Sequence, residues 1–170
     1  ATSTISVTSP ILYGGSAGGG KSKALRMDAL TFCLQNPGCQ AYLFRRTLNE
    51  LQKNHIVKLK QEFPEHLGLG RYHETRRALE LWNGSTLYFC FCEKEADVEI
   101  YQGAEMHWCG IDEAGQMTPY MIGYLKTRNR LGDWKPLDTQ KGLLPKFVLA
   151  SNPGGPSHSY LKSIFIDKSA

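Results

Sequence analysis

No apolar run in the 170 residues approaches the length of a bilayer-spanning helix, roughly 20 residues. The opening stretch, Ala1 to Pro10, has neither the basic start nor the apolar block of a secretory signal. A chain that opens at Ala1 without Met suggests processing or an upstream boundary. C-x-x-C spacing is missing, and the five cysteines are odd in number, so a reducing compartment is the simpler expectation. Cys90 and Cys92 lie two apart in a β-like run and share one face, which suits packing better than metal binding. An N-K-x-D signature for guanine is absent, as are internal repeats and low-complexity tracts. Charge bias is small: 20 basic against 16 acidic residues leave +4, compatible with a polyanionic partner but too little to establish one. With 41% hydrophobic residues the composition is that of an ordinary globular protein. The length supports one domain with a sizeable core and no second of ordinary size.

What the chain does have is a glycine-rich loop in a telling place. From Gly15 the spacing is G-x-x-x-x-G-K-S, the phosphate-binding loop signature. Gly15, Ser16, Ala17, Gly18, Gly19, Gly20, Lys21 and Ser22 are the candidate nucleotide-binding residues. Backbone N–H groups must close around phosphate oxygens, where a Cβ would collide. Lys21 supplies a point charge for the β- and γ-phosphates, and the Ser22 hydroxyl can ligate Mg²⁺. Ile11-Leu12-Tyr13 reads as a strand before the loop. A helix-compatible stretch from Lys21 puts a helix N-terminus under the phosphates. The alternative, an unrelated flexible glycine loop, does not account for strand, Lys-Ser and helix in that order.

Along the rest of the chain, the first helix is expected to run to Asn36-Pro37-Gly38. Ala41–Phe44 reads as a buried strand. Thr47 and Glu50 form a capping box for a helix from about Leu48 to Phe63, with a ragged apolar face of Leu51, His55, Val57 or Lys58, Leu59 and Phe63. Gly68 to Gly70 reads as a turn. Asn83-Gly84 joins Ala78–Trp82 and Thr86–Cys92 as a hairpin, and a short helix or loop is expected over Glu93 to Ile100. Met106 to Ile111 is a central strand ending in Asp112-Glu113. Thr118-Pro119 opens a helix to about Leu131. Gly132 to Pro145 reads as an exposed loop, Phe147–Ala150 as a further strand, and Pro156 to Phe165 as a last helix. Alternating strands and helices imply an α/β fold with a mostly parallel central sheet flanked by helices and one antiparallel hairpin. In such sheets ligands bind beyond the C-terminal strand ends. The glycine loop, Asp112-Glu113 and Ser151-Asn152 should therefore gather on one edge.

The chemistry expected there is that of nucleotide hydrolysis. Asp112, after an apolar strand, fits a Walker B metal-holding aspartate. Glu113 fits the carboxylate that orients and deprotonates the attacking water. A bare helix-capping role for the pair is the competing reading. Asn152 sits where an amide could contact the attacking water or the γ-phosphate, unless Asn-Pro-Gly-Gly is merely a turn.

With these motifs placed, the chain is similar to the ATPase half of a large terminase subunit, the DNA-packaging motor of tailed bacteriophages and related viruses. The matching segments are Tyr13–Ser22, Phe44-Arg-Arg-Thr47, Tyr101-Gln-Gly-Ala-Glu105, Ile111-Asp-Glu-Ala114 and Ala150-Ser-Asn-Pro153. That resemblance implies a P-loop NTPase with a RecA-like ASCE (additional-strand, catalytic-glutamate) core, using ATP and Mg²⁺ to drive double-stranded DNA into a procapsid. It implies a portal ring, a small terminase subunit and further copies of the motor as partners, in the cytoplasm of an infected host cell. By the same match Lys21 and Ser22 are Walker A residues, Asp112 and Glu113 Walker B, and Ser151-Asn152 the coupling motif. Residues 1–170 would form the single ATPase domain, and the family's nuclease domain would have to follow Ala170.

Two departures concern an arginine finger. Some relatives carry an arginine in the Walker A loop, where this chain has Ser16-Ala17-Gly18-Gly19, and some carry one at the position of Gln102. Arg128 and Arg130, then Arg45 and Arg46, are the substitute candidates, each weighed against a solvated surface charge. Lys53, Lys58, Lys60, Arg71, Arg76 and Arg77 are candidates to face DNA. Competing functions are a recombinase- or helicase-like ATPase acting on DNA and a nucleotide-dependent switch. A helicase usually needs a second core domain, and a switch would not need Glu113.

Overall fold

The short apolar runs form one mixed α/β sheet of seven strands in a computed structural model that describes residues 10–14 and 20–165. The strands are β1 (Ile11–Gly14), β2 (Gln40–Arg45), β3 (Gly70–His73), β4 (Ala78–Leu81), β5 (Thr86–Phe91), β6 (Trp108–Asp112) and β7 (Lys146–Ser151). Their spatial order is β1-β7-β6-β2-β5-β4-β3. The first five in that order run parallel, and β5, β4 and β3 are mutually antiparallel neighbours. The helices are α1 (Gly20–Gln35), α2 (Leu48–Leu51), α3 (Val57–Glu62), α4 (Pro119–Arg128) and α5 (His158–Phe165). None of them is long and apolar enough to cross a membrane.

Parallel strands covered on both sides are apolar throughout, and their alternation sorts side chains to two cores. Ala41 and Leu43 of β2, Trp108 of β6, and Val148 and Ala150 of β7 face α1 with Leu51, Ile56 and Leu59. Tyr42, Phe44, Cys109, Ile111, Phe147 and Leu149 face the opposite way, onto Met121, Ile122 and Leu125 of α4 and Leu161 of α5. Cys90 and Cys92 pack in this second core, where burial pushes both thiols up to about 12.

Several element boundaries differ from the sequence expectation. The residue expected to close a turn, Gly70, instead opens β3, an edge strand bonded to β4 alone. Its Arg-Tyr-His content has no apolar alternation to announce it. The helix after Thr47 is interrupted by a π-helical turn, Gln52–Ile56, between α2 and α3. Helix α4 stops at Arg128, where Asn129 leaves helical backbone and its amide donates to the carbonyls of Met106 and Lys146 at 3.0 and 2.9 Å. Part of the segment expected to be an exposed loop turns inward: Leu144 is buried and Trp134 stacks on His107 with ring centroids 4.3 Å apart.

Gly110 illustrates how tightly the α1 face is filled. The indole of Trp108, two residues earlier on the same face, lies over it and donates from Nε1 to Asp28 Oδ2 at 2.9 Å. A Cβ at Gly110 would meet Trp108 Cη2 at 2.1 Å. Gly110→Ala is expected to cost about 1–3 kcal/mol through overpacking, read as a lowered denaturation midpoint with unchanged slope. A midpoint equal to that of the wild type would show that the indole can move aside freely.

Candidate functional site

Because β1, β7, β6 and β2 run parallel, Gly14, Ser151, Asp112 and Arg45 all end at one edge of the sheet. Strand alternation then decides which side chains meet. Asp112 shares the parity of Trp108 and Gly110, and Arg45 that of Ala41 and Leu43, so both project toward the α1 face. There the first turn of α1 presents Ser22, whose Oγ donates to Asp112 Oδ2 at 2.7 Å. Arg45 Nη1 donates to the same oxygen at 2.8 Å. The other oxygen, Oδ1, accepts the backbone N–H of Glu113 at 3.1 Å. Asp112 is 2% exposed. Burial by itself raises a carboxyl pKa, but the hydrogen bonds from His55 and Ser22 and the charge of Arg45 outweigh it and hold Asp112 below the usual range.

Immediately after β6 the chain takes left-handed backbone at Glu113, φ 51 and ψ 46. A non-glycine residue there stores roughly 1–2 kcal/mol of strain. The turn carries Glu113 out of the strand alternation toward the end of β7. Asn152 Nδ2 donates to Glu113 Oε1 at 3.3 Å, while Asn152 Oδ1 accepts from Lys21 Nζ. A single amide thus joins the lysine at the start of α1 to the carboxylate after β6. Ser151 fastens the arrangement: its hydroxyl accepts from the Gly115 N–H at 3.0 Å and donates to the Asn152 carbonyl at 2.9 Å.

Lys21, Ser22, Asp112, Glu113 and Asn152, singled out separately in the sequence, are therefore brought together, along with Gly20 at the start of α1. Residues 15–19, with Gly15, Ser16, Ala17, Gly18 and Gly19, lie outside the described residues. Arg128 and Arg130 are elsewhere. Met106, just upstream of β6, donates its N–H to the Arg128 carbonyl at 2.9 Å and accepts the Arg130 N–H at 3.2 Å. That is the opposite edge of the sheet, roughly 20 Å from Asp112 at about 3.3 Å per residue. The Arg128 guanidinium donates to the Gln102 carbonyl and lies 5.9 Å from the Tyr124 ring centroid. Arg46 is at the site edge, held by the carbonyls of Glu93 and Gln116. Of the candidate DNA-facing residues, Lys53 and Lys58 are exposed, Lys60 pairs with Glu74, Arg76 pairs with Glu80, and Arg71 is exposed on edge strand β3. Arg77 lies 5.3 Å over the Phe91 ring.

Sequence reasoning named Arg45 as a candidate arginine finger but not as a partner of Asp112, and it missed the roles of His55 and Arg26. Arg45, weighed as a surface charge, is 9% exposed and paired with Asp112, because the C-terminal end of a central strand is not at the surface. His55, taken as one member of an apolar face, donates from Nε2 to Asp112 Oδ2 at 2.7 Å. Arg26, on the core side of α1 and 2% exposed, donates from Nη1 to His55 Nδ1 at 3.2 Å. A signal was present: arginine or histidine on an apolar stripe needs a partner to be buried.

A family model for the N-terminal domain of T4likevirus-type terminase large subunits matches residues 12–164. No curated protein matches the chain. The fold is similar to that of the large terminase from a thermophilic bacteriophage, with a TM-score of 0.71 at 20% identity over 98% of this chain and 39% of that one. A second structure of the same phage's large terminase, in complex with ADP, gives a TM-score of 0.68 at 19% identity with the same coverage. The chain thus spans 39% of the length of these terminases. By the match over residues 12–164, the chain belongs to the family of T4likevirus-type terminase large subunit N-terminal domains.

Proposed function

We propose that this domain is the ATP-hydrolysing motor of a large terminase, driving double-stranded DNA into a procapsid. The observation that carries the reading is the convergence of Lys21, Ser22, Asp112, Glu113 and Asn152 at one sheet edge. The strand order adds support: β7, which ends just before Asn152, lies between β1, which leads to the glycine loop, and β6, which ends at Asp112 just before Glu113. This order is what the proposed P-loop, RecA-like ASCE core requires, an additional strand separating the two Walker strands. The ADP complex of a similar terminase agrees with a nucleotide here.

In this reading the backbone of residues 15–20 cradles the phosphates, and Lys21 neutralises the β- and γ-phosphoryl oxygens. The Ser22 hydroxyl and Asp112 carboxylate, 2.7 Å apart, are the hard oxygen donors that Mg²⁺ prefers, and Asp112 is held ionised as a ligand must be. Held by these two groups, Mg²⁺ would supply positive charge against the negative charge that develops on the transferred phosphoryl group. Glu113 accepts the proton of the attacking water, and Asn152, touching both Glu113 and Lys21, transmits the state of the γ-phosphate to the loop after β7. The partners that follow are DNA, the portal ring, a small terminase subunit and further copies of the motor, in the host cytoplasm.

Lys21→Ala tests the loop assignment. Arg45, a cation at the same sheet edge, is held by Asp112, so steady-state ATPase activity in the full-length terminase should fall to background. Activity within a few-fold of wild type would overturn the assignment.

A further inference from the structure

Behind Asp112 lies a buried chain of polar groups that nucleotide hydrolysis as described does not require. Glu62 of α3 takes a two-pronged contact from Arg26 of α1, Nε to Oε2 at 2.8 Å and Nη2 to Oε1 at 2.7 Å. The remaining arm of Arg26, Nη1, donates to the Asn54 carbonyl at 3.1 Å and to His55 Nδ1 at 3.2 Å. A guanidinium can only donate, so Nδ1 must be the bare nitrogen and the ring proton must sit on Nε2. That proton points at Asp112 Oδ2, 2.7 Å away.

We propose that His55 is a positioning residue for the Asp112 carboxylate, its ring locked as the Nε2–H tautomer by the Arg26–Glu62 pair. The orientation of the metal-holding oxygens is thereby set from the α2–α3 segment, and the inference rests on the nucleotide and metal reading of the site.

Three features favour this role over packing alone. Arg26 is 2% exposed and His55 fully buried. Apolar residues of similar volume would serve stability as well or better than buried charged groups. The π-helical turn Gln52–Ile56 contains His55, and such single turns are rare and frequent at functional sites. Finally, Asp112 Oδ2 receives Ser22 from α1, Arg45 from β2 and His55 from the π turn, so its orientation is determined by three separate elements. Partners of a metal-binding carboxylate at this remove typically matter by about 10–100-fold in metal affinity.

The test uses Mn²⁺ as the probe, titrated by electron paramagnetic resonance with ADP present, while ADP binding is measured separately in EDTA. His55→Leu removes the donor and is expected to weaken Mn²⁺ binding about 10–100-fold, with metal-free ADP affinity unchanged. His55→Gln, whose amide nitrogen can reach the place of Nε2, should recover most of the loss. Equal Mn²⁺ affinity in wild type and His55→Leu would overturn the proposal while leaving the nucleotide site standing. A wild-type protein that takes up no Mn²⁺ with ADP would overturn the site reading as well. Nitrogen NMR of the wild-type imidazole needs no variant: a proton on Nε2 and none on Nδ1 is expected, and the opposite tautomer overturns the lock even if His55→Leu does not fold.

Discussion

Glu113→Gln is expected to bind ATP with nearly wild-type affinity and to hydrolyse it about 10²–10⁴-fold more slowly, the usual worth of a general base. Lys21, Ser22 and Asp112, which face phosphate and metal in the proposed site, are untouched by the change. The amide also keeps an oxygen that can accept from Asn152 Nδ2, which lies 3.3 Å from Glu113 Oε1 in the native protein. What disappears is the ability to take a proton from water. Left-handed backbone at Glu113 suits this role, since strain there is tolerated only when surrounding contacts hold the residue in place. The measurement is a pair: fluorescent nucleotide affinity, and phosphate release in the full-length terminase. If affinity falls while turnover persists, Glu113 belongs to the metal or structural shell instead.

The second large effect rests on the proposed motor function and is expected only when several copies assemble. Neither residue 102 nor positions 16 to 19 carry an arginine, and Arg45 and Arg46 are engaged by Asp112 and by backbone carbonyls. Arg128, on the opposite sheet edge, cannot serve its own site. In a head-to-tail ring, however, the surface that meets a neighbour's site is a different one from the site edge. Arg128→Ala is therefore expected to leave ATP binding by the monomer intact. In the proposed assembly on a portal with DNA, it should cut hydrolysis by about 10³–10⁵-fold, the range for an arginine supplied in trans. Mixing Arg128→Ala with Glu113→Gln protein should restore part of the activity, because some interfaces then pair an intact glutamate with an intact arginine. The same experiment on Arg130 separates the two neighbours. Failure of both mixtures, or a monomer already as fast as the assembled motor, would rule the idea out.

Local signals made much of this molecule legible before its fold. A glycine loop between an apolar strand and a helix, an acidic pair closing an apolar run, and Ser-Asn after another strand each depend on neighbours in the chain. Parallel alternation then placed the end of the strand before the loop, the acidic pair and Ser151-Asn152 on one edge, since strands joined by helices must run the same way. Boundaries failed where the deciding partner was distant. Gly70–His73 becomes a strand only because β4 lies beside it, and α4 ends at Arg128 because Asn129 finds the carbonyls of Met106 and Lys146. Arg26, Arg45 and His55 were the clearest cases. Each sits on a stripe whose apolar period announced burial, and a buried arginine or histidine demands a partner. Which partner could not be read from the chain, because Asp112 is far in sequence from Arg45 and His55, and Glu62 and His55 are far from Arg26. Period and spacing determined the six apolar strands and the place of the acidic pair at the end of one of them, whose causes are local. The tertiary structure alone decided that one carboxylate oxygen would receive Ser22, Arg45 and His55, because only strand order and parity bring those donors to the same point.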